Sequence, residues 1–142
     1  MTIYQHALNF KKKYPKTVAW RLEQNSKIAE IHLNPDEEVR YVFAAQKNHH
    51  SYDLFRTFVV VITNQRMLLA QKRMLFGYIF MSITPDMYND IRVMSGLFWG
   101  KICIDTVKEK MLLSNIQKSA LPEIETEITQ FMMEAKKEYA RD

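Results

Sequence analysis

A chain of 142 residues, 47% hydrophobic and 25% charged, has the length and composition of one globular domain able to bury a core. Its single cysteine, Cys103, excludes an intramolecular disulfide and is expected to be a buried thiol in a reducing compartment. The longest uncharged window, residues 74–85, is 12 residues, short of the roughly 18 that a membrane-spanning helix requires. The first ten residues mix polar and apolar side chains ahead of Lys11, Lys12 and Lys13, without the pattern of a secretion signal. The expected location is therefore cytoplasmic, with attachment to the periphery of a membrane as the further option. The net charge of +4 is uneven: residues 1–33 hold six basic and two acidic side chains, residues 34–116 ten and eight, and residues 117–142 four and six. The excess at the N-terminal end is compatible with attraction to an anionic surface, or simply with solubility.

Residues 2–14 form a first predicted helix, with Ile3, Ala7, Leu8 and Phe10 near one face and Pro15 ending it. A second helix is predicted from about Thr17, with a broad apolar face of Val18, Trp20, Leu22, Ile28, Ala29 and Ile31. Asn34 and Pro35 stop it, and the period changes. Val39, Tyr41, Phe43 and Ala45 alternate with Arg40, Val42, Ala44 and Gln46, the signature of a strand with one face on a core. Residues 54–62, nearly continuous in hydrophobicity through Phe58, Val59, Val60, Val61 and Ile62, predict a central strand.

Thr63, Asn64, Gln65 and Arg66 separate this strand from residues 67–70, so the pair reads as a hairpin in which Asn64 can adopt the left-handed conformation of a tight turn, while Gln65 is less suited to it and leaves the turn type open. Lys72 and Arg73 end the third strand in a basic loop, and a fourth covers residues 78–83. A fifth strand spans Ile91 to Met94 and ends at Gly96; Gly100 opens a sixth over residues 101–106, and residues 111–116 form a seventh. Leu97, Phe98 and Trp99 make the intervening apolar turn.

Seven short strands in succession imply an antiparallel meander folded into a sandwich or small barrel. A final helix follows, with Ser119 as its N-cap and Leu121, Ile124, Ile128, Phe131, Ala135 and Tyr139 on one face. Glu123, Glu125 and Glu127 crowd one end and Lys136, Lys137 and Arg141 the other, as the helix dipole favours; these charges read as helix stabilisers rather than a catalytic cluster. The fold class is thus α+β, mainly β.

The element order and two segments carry a resemblance. Seven strands then one amphipathic helix is the order of the pleckstrin-homology (PH) superfold. The segment Val61-Ile-Thr-Asn-Gln-Arg-Met-Leu-Leu-Ala70 resembles the Thr-Asn-x-Arg hairpin of bacterial PH-like domains, and Gly96-Leu-Phe-Trp-Gly-Lys-Ile-Cys-Ile-Asp105 resembles the glycine-flanked turn and strand of the YokE-type subgroup. The resemblance implies a seven-stranded bent antiparallel sandwich with the C-terminal helix plugging one open end. It covers about residues 36–139, which divides the chain into an N-terminal helical extension at 1–33 and a PH-like domain at 34–142. The family brings no established catalytic residues. Phosphoinositide-binding relatives place Lys and Arg-x-Arg along the first two strands; Lys47 and Arg56 are present here, but position 58 is Phe.

No phosphate-binding glycine loop, metal-binding His-Glu-x-x-His, nucleophile elbow or Cys-x-x-Cys pair is present, so an enzyme is not expected. His49 and His50 are adjacent in a predicted loop, and His6 and His32 have no partner visible in sequence; no metal or cofactor is expected. Lys47, Arg56, Lys72 and Arg73 fall toward the same open end in this superfold, where a phosphate or anionic headgroup could pair with them. Phe98 and Trp99 are the candidate interaction residues, expected to pack within the chain or against another copy. The reading is a non-catalytic module for protein interaction or self-assembly, a homo-oligomer included. The alternative is peripheral binding of anionic lipid headgroups on a membrane surface. No nucleic acid partner is expected.

Overall fold

The computed structural model describes residues 1–47, 57–73 and 75–141, the side chains of 136 and 138–141 aside. Helix α1 (Ile3–Lys13) starts on a capping box, in which the Thr2 hydroxyl accepts from the Gln5 N–H while the Gln5 side chain accepts from the Thr2 N–H. Three lysines sit in its last turn, where the dipole favours them. Helix α2 (Leu22–Ile31) is shorter than the periodicity predicts. Residues 17–20 are not helical, because their backbone groups bond sideways to strands: the Val18 N–H donates to the Asn115 carbonyl at 2.9 Å and the Trp20 N–H to the Thr57 hydroxyl at 3.0 Å. Trp20 and Ile31 are accordingly exposed, while Ile28 and Ala29 are buried.

The strands are β1 (Val39–Lys47), β2 (Thr57–Thr63), β3 (Met67–Lys72), β4 (Tyr78–Ile83), β5 (Tyr88–Ser95), β6 (Gly100–Thr106) and β7 (Lys110–Ile116), and α3 (Leu121–Arg141) follows. They form one antiparallel sheet in the order β4-β3-β2-β1-β7-β6-β5. The meander is joined between β1 and β7 by only two register pairs, Gln46 with Ser114 and Lys47 with Leu113. The sheet folds over itself at that seam. Phe43, Val60, Ile62 and Leu69 on one half and Ile102, Ile104, Met111 and Leu113 on the other share a core with Ile124, Ile128 and Phe131 of α3. At roughly 2 kcal/mol for each large apolar side chain removed from water, this contact dominates the stability of the fold.

A second core lies on the opposite face of the first half-sheet, where Ile3, Ala7, Ile28 and Ala29 of the two N-terminal helices cover Val42, Val59, Val61 and Leu68. Alternate residues of β2 therefore face different cores, Val60 and Ile62 one and Val59 and Val61 the other. That is why the strand is hydrophobic without a break, and why β1 buries both faces rather than the single face its alternation predicts.

Three further expectations are corrected. Asn64 is not left-handed; it stands outside the positive-φ residues and pairs with Glu38, its N–H donating to the Glu38 carbonyl at 3.0 Å and its Oδ1 accepting from the Glu38 N–H at 2.8 Å. Ser119 does not cap α3, which begins at Leu121 after a 3-10 turn; the Ser119 hydroxyl accepts from the Gln117 side chain at 2.6 Å. Cys103 is half-exposed rather than buried, since odd positions of β6 point away from the core. The buried face of α3 runs through Leu121, Ile124, Ile128, Phe131 and Ala135, with Met132 added; the Tyr139 side chain lies outside the described set.

Candidate functional site

The ends of β1 and β3 and the starts of β2 and β4 meet at one end of the first half-sheet. A groove of about 840 Å³ opens there, and Lys47, Lys72 and Arg73 all line it. Arg56 lies outside the described residues. Two residues that sequence reasoning placed inside a helix line the groove as well, Trp20 and Arg21, so four cations border one cavity. Lys47 faces Glu109 at 3.7 Å; among the described residues no carboxylate comes within ion-pair distance of Arg21, Lys72 or Arg73.

The groove also has an apolar side. Phe58, Ile79 and Met81 form its floor and belong to, or pack on, the core shared with α3. Leu75 and Phe76 stand at its rim, each 86% exposed, next to Trp20 at 54%. The turn that projects them depends on Gly77, whose φ of +74° is one that side-chain-bearing residues rarely adopt, and the Arg73 N–H closes it on the Gly77 carbonyl at 3.1 Å.

Buried polar side chains hold the strand ends in place. Asn25 of α2 donates to the Thr57 carbonyl at 3.1 Å and accepts from the Lys72 N–H at 2.8 Å, tying α2 to β2 and β3. The Gln46 amide donates to the Val18 carbonyl at 3.1 Å and to the Thr57 hydroxyl, and Gln71 donates to the Thr57 carbonyl at 3.0 Å. These bonds tie the ends of β1, β2 and β3 to one another and to residues 18–25, and so fix the geometry of the groove wall.

Phe98 and Trp99 lie elsewhere, in the turn between β5 and β6, their rings tilted against each other with centroids 6.0 Å apart, but they differ in exposure. Trp99 packs within the chain, its indole N–H donating to the Lys16 carbonyl at 3.0 Å, whereas Phe98 is 74% exposed. The glycines on either side are required by close approach: a Cβ on Gly96 would meet the Trp99 carbonyl oxygen at 2.9 Å, and one on Gly100 would overlap the Leu121 side chain.

The Thr63-Asn64-x-Arg66 segment is a brace rather than a binding site. The Arg66 guanidinium donates to both oxygens of the Glu37 carboxylate at 3.0 Å and to the His32 carbonyl at 2.8 Å, and the Thr63 hydroxyl donates to Glu37 at 2.6 Å. Burial pushes the Glu37 carboxyl up, but the bonds from Arg66, Thr63 and the Asn34 N–H outweigh it and hold the group below the usual glutamate range. A second polar cluster joins α1, β1 and α3: Tyr41 donates to Glu123 at 2.7 Å and Lys13 reaches the same carboxylate at 2.5 Å. Burial, then the Glu123 carboxylate, drive the Tyr41 hydroxyl well above the usual tyrosine range.

His32 has a partner after all, its ring stacked on Phe80 at 4.0 Å between centroids. Among the described residues no three metal-ligating side chains converge, and His49 and His50 lie outside them. No helix among the described residues is long and apolar enough to cross a membrane.

The sequence profile described as Bacterial PH domain matches residues 33–130, more than half of the chain. Two solved structures are similar to it. One is a DUF1696 family protein with a pleckstrin-homology domain from Shewanella loihica PV-4, 16% identical over 78% of this chain and 94% of that one, with a TM-score of 0.48. The other is a pleckstrin homology domain from Shewanella amazonensis SB2B, 16% identical over 73% of this chain and 79% of that one, with a TM-score of 0.44. None of the curated proteins matches the chain.

Proposed function

Since the chain belongs to the Bacterial PH domain family, we propose that it is a non-catalytic binding module that docks on anionic membrane surfaces through the groove at the strand ends. The observation that carries this reading is the meeting, around one cavity, of Arg21, Lys47, Lys72 and Arg73 with the exposed apolar rim of Leu75 and Phe76. Cations near an anionic leaflet contribute about 1 kcal/mol each, and short apolar side chains beside them can enter the headgroup region. The bound group is a phosphate-bearing headgroup, met by charge and the guanidinium fork rather than by the Arg-x-Arg pattern that Phe58 interrupts. On this reading the protein works in the cytoplasm, at the membrane periphery, and the glycine-flanked turn at 96–100 supports membership of the YokE-type subgroup.

The test is co-sedimentation with phosphatidylcholine vesicles, with and without phosphatidylglycerol. Binding should require the anionic lipid and weaken as salt rises. The K72A/R73A variant removes two charges and should bind about 25-fold more weakly. Equal binding to neutral and anionic vesicles, or a K72A/R73A variant that binds as the parent does, would refute the site.

A second reading, contact with a protein partner or another copy, is favoured by the exposed Leu97 and Phe98 at the turn between β5 and β6. It expects light scattering to report a larger particle at high concentration, reduced to a monomer by Phe98→Ser.

A further inference from the structure

The residues that bring the groove's charge together come from two parts of the chain. Lys47, Lys72 and Arg73 lie within the segment that the family profile matches, residues 33–130, whereas Trp20 and Arg21 lie in the helical extension before it. We propose that this extension is a working part of the membrane-binding site: Arg21 supplies an anion ligand, and Trp20 anchors the groove rim at the level of the headgroups. The proposal rests on the membrane reading above and adds a role for residues 1–32 that covering the sheet alone does not require.

Three observations carry it. First, Arg21 is one of only two non-glycine residues with positive φ among the described residues, at 55°, and it is the N-cap residue of α2, directly before Leu22, without any side-chain capping bond. Such a conformation costs an arginine energy that glycine would not pay, and it persists only where the surroundings enforce it. Second, the surroundings do enforce it. Trp20 is pinned through its N–H to the Thr57 hydroxyl at 3.0 Å, and Val18 is pinned on both sides, by the Asn115 carbonyl at 2.9 Å and the Gln46 amide at 3.1 Å. Asn25, one turn into α2, bonds both Thr57 and Lys72. The ends of four strands, β1, β2, β3 and β7, thus hold residues 18–25 against the groove. Third, the two side chains delivered there are a guanidinium and a half-exposed indole, the pair whose chemistry suits a phosphate beside an interfacial layer.

The experiment uses the full chain and the same vesicles. Arg21→Gly removes the guanidinium while relieving the positive φ, so the variant should melt no lower than the parent and bind phosphatidylglycerol vesicles about fivefold more weakly. Arg21→Asn, which also tolerates that conformation, repeats the loss with a side chain retained. Arg21→Lys restores most of the binding. Trp20→Ala weakens binding by an amount that persists at high salt, where the Arg21 effect has faded, because apolar insertion is not screened. If K72A/R73A loses affinity but the Arg21 and Trp20 variants bind as the parent does, the extension is only a cover and the inference falls while the membrane reading stands. If the parent ignores anionic vesicles, both fall together.

Discussion

The Glu37–Arg66 pair offers the sharpest test of how this fold is held. The Glu37 side chain is fully buried and that of Arg66 is 16% exposed, and their contact is bidentate. Arg66→Met keeps an unbranched apolar stem over Phe80 but leaves the carboxylate in the interior with only Thr63 and the Asn34 N–H to stabilise it. Removing one partner of a buried pair costs about 3–5 kcal/mol. For a domain of this size each kilocalorie lowers the melting temperature by roughly 3 °C, so a fall of about 9–15 °C is expected by calorimetry.

The pH dependence gives the cause a signature of its own. In the parent the Glu37 pKa is held below its unfolded value, so its contribution is fully present above the unfolded glutamate pKa and is lost as pH falls through the lower, folded one. In Arg66→Met the bonds and charge of the arginine are gone and the folded pKa of Glu37 rises, so acidification takes less stability from the variant than from the parent. The gap between parent and variant should therefore narrow on going from pH 7 to about pH 4, and Glu37→Gln added to Arg66→Met should recover part of the loss. A gap that is constant with pH, or no recovery in the double variant, would show that the arginine acts through packing alone and that the buried charge is not the controlling group.

Two shorter predictions concern the frame of the groove and the seat of α3. Asn25→Leu preserves volume but leaves the Lys72 N–H without its acceptor, which should cost about 2 kcal/mol in urea denaturation; an unchanged midpoint would mean that Asn25 is not the link between α2 and β3. Gly100→Ala places a methyl against the Leu121 side chain, whose Cγ would be 2.7 Å away, and should cost about 1–3 kcal/mol; combining it with Leu121→Ala should cost less than the sum of the two.

Most of the sheet was legible because its signals are local. The alternation in β1, the β-branched run in β2 and the glycines around 96–100 each report on their own neighbours, and the seven strands follow the predicted order. The start of α2 was not legible for the opposite reason. Val18 and Leu22 stand four apart, as on a helix face, and what keeps Val18 and Trp20 out of the helix is a set of bonds to Gln46, Thr57 and Asn115, which are remote in sequence. Tertiary partners overrode the pattern, and Arg21 and Trp20 were missed as groove residues in consequence. Leu75 and Phe76 carried a signal that was available, an apolar pair in a basic loop directly before a glycine. The Thr63-Asn64-x-Arg66 motif could be recognised but not understood, since Glu37, the residue that gives the arginine its role, lies 29 positions earlier.

A folded antiparallel sheet has to close its interior, its outer face and its two edges, and the way this chain does so bears on where function can lie. Helix α3 fills the interior with Ile124, Ile128 and Phe131, and α1 and α2 cover the outer face of β1, β2 and β3. The edges are β4 and β5, and β5 presents exposed Asn89, Asp90 and Arg92, charged and polar side chains of the kind that discourage a further strand from adding. What is left is the end of the first half-sheet. Among the described residues none of α3 lines the groove there, its floor reaches the shared core through Phe58, Ile79 and Met81, and its walls are already braced by Asn25, Gln46 and Thr57. Closing that end would take only a few more apolar side chains at the rim. The chain instead sets Arg21, Lys47, Lys72 and Arg73 around it, and on the proposed reading an anion placed among these like charges would turn their mutual repulsion into binding.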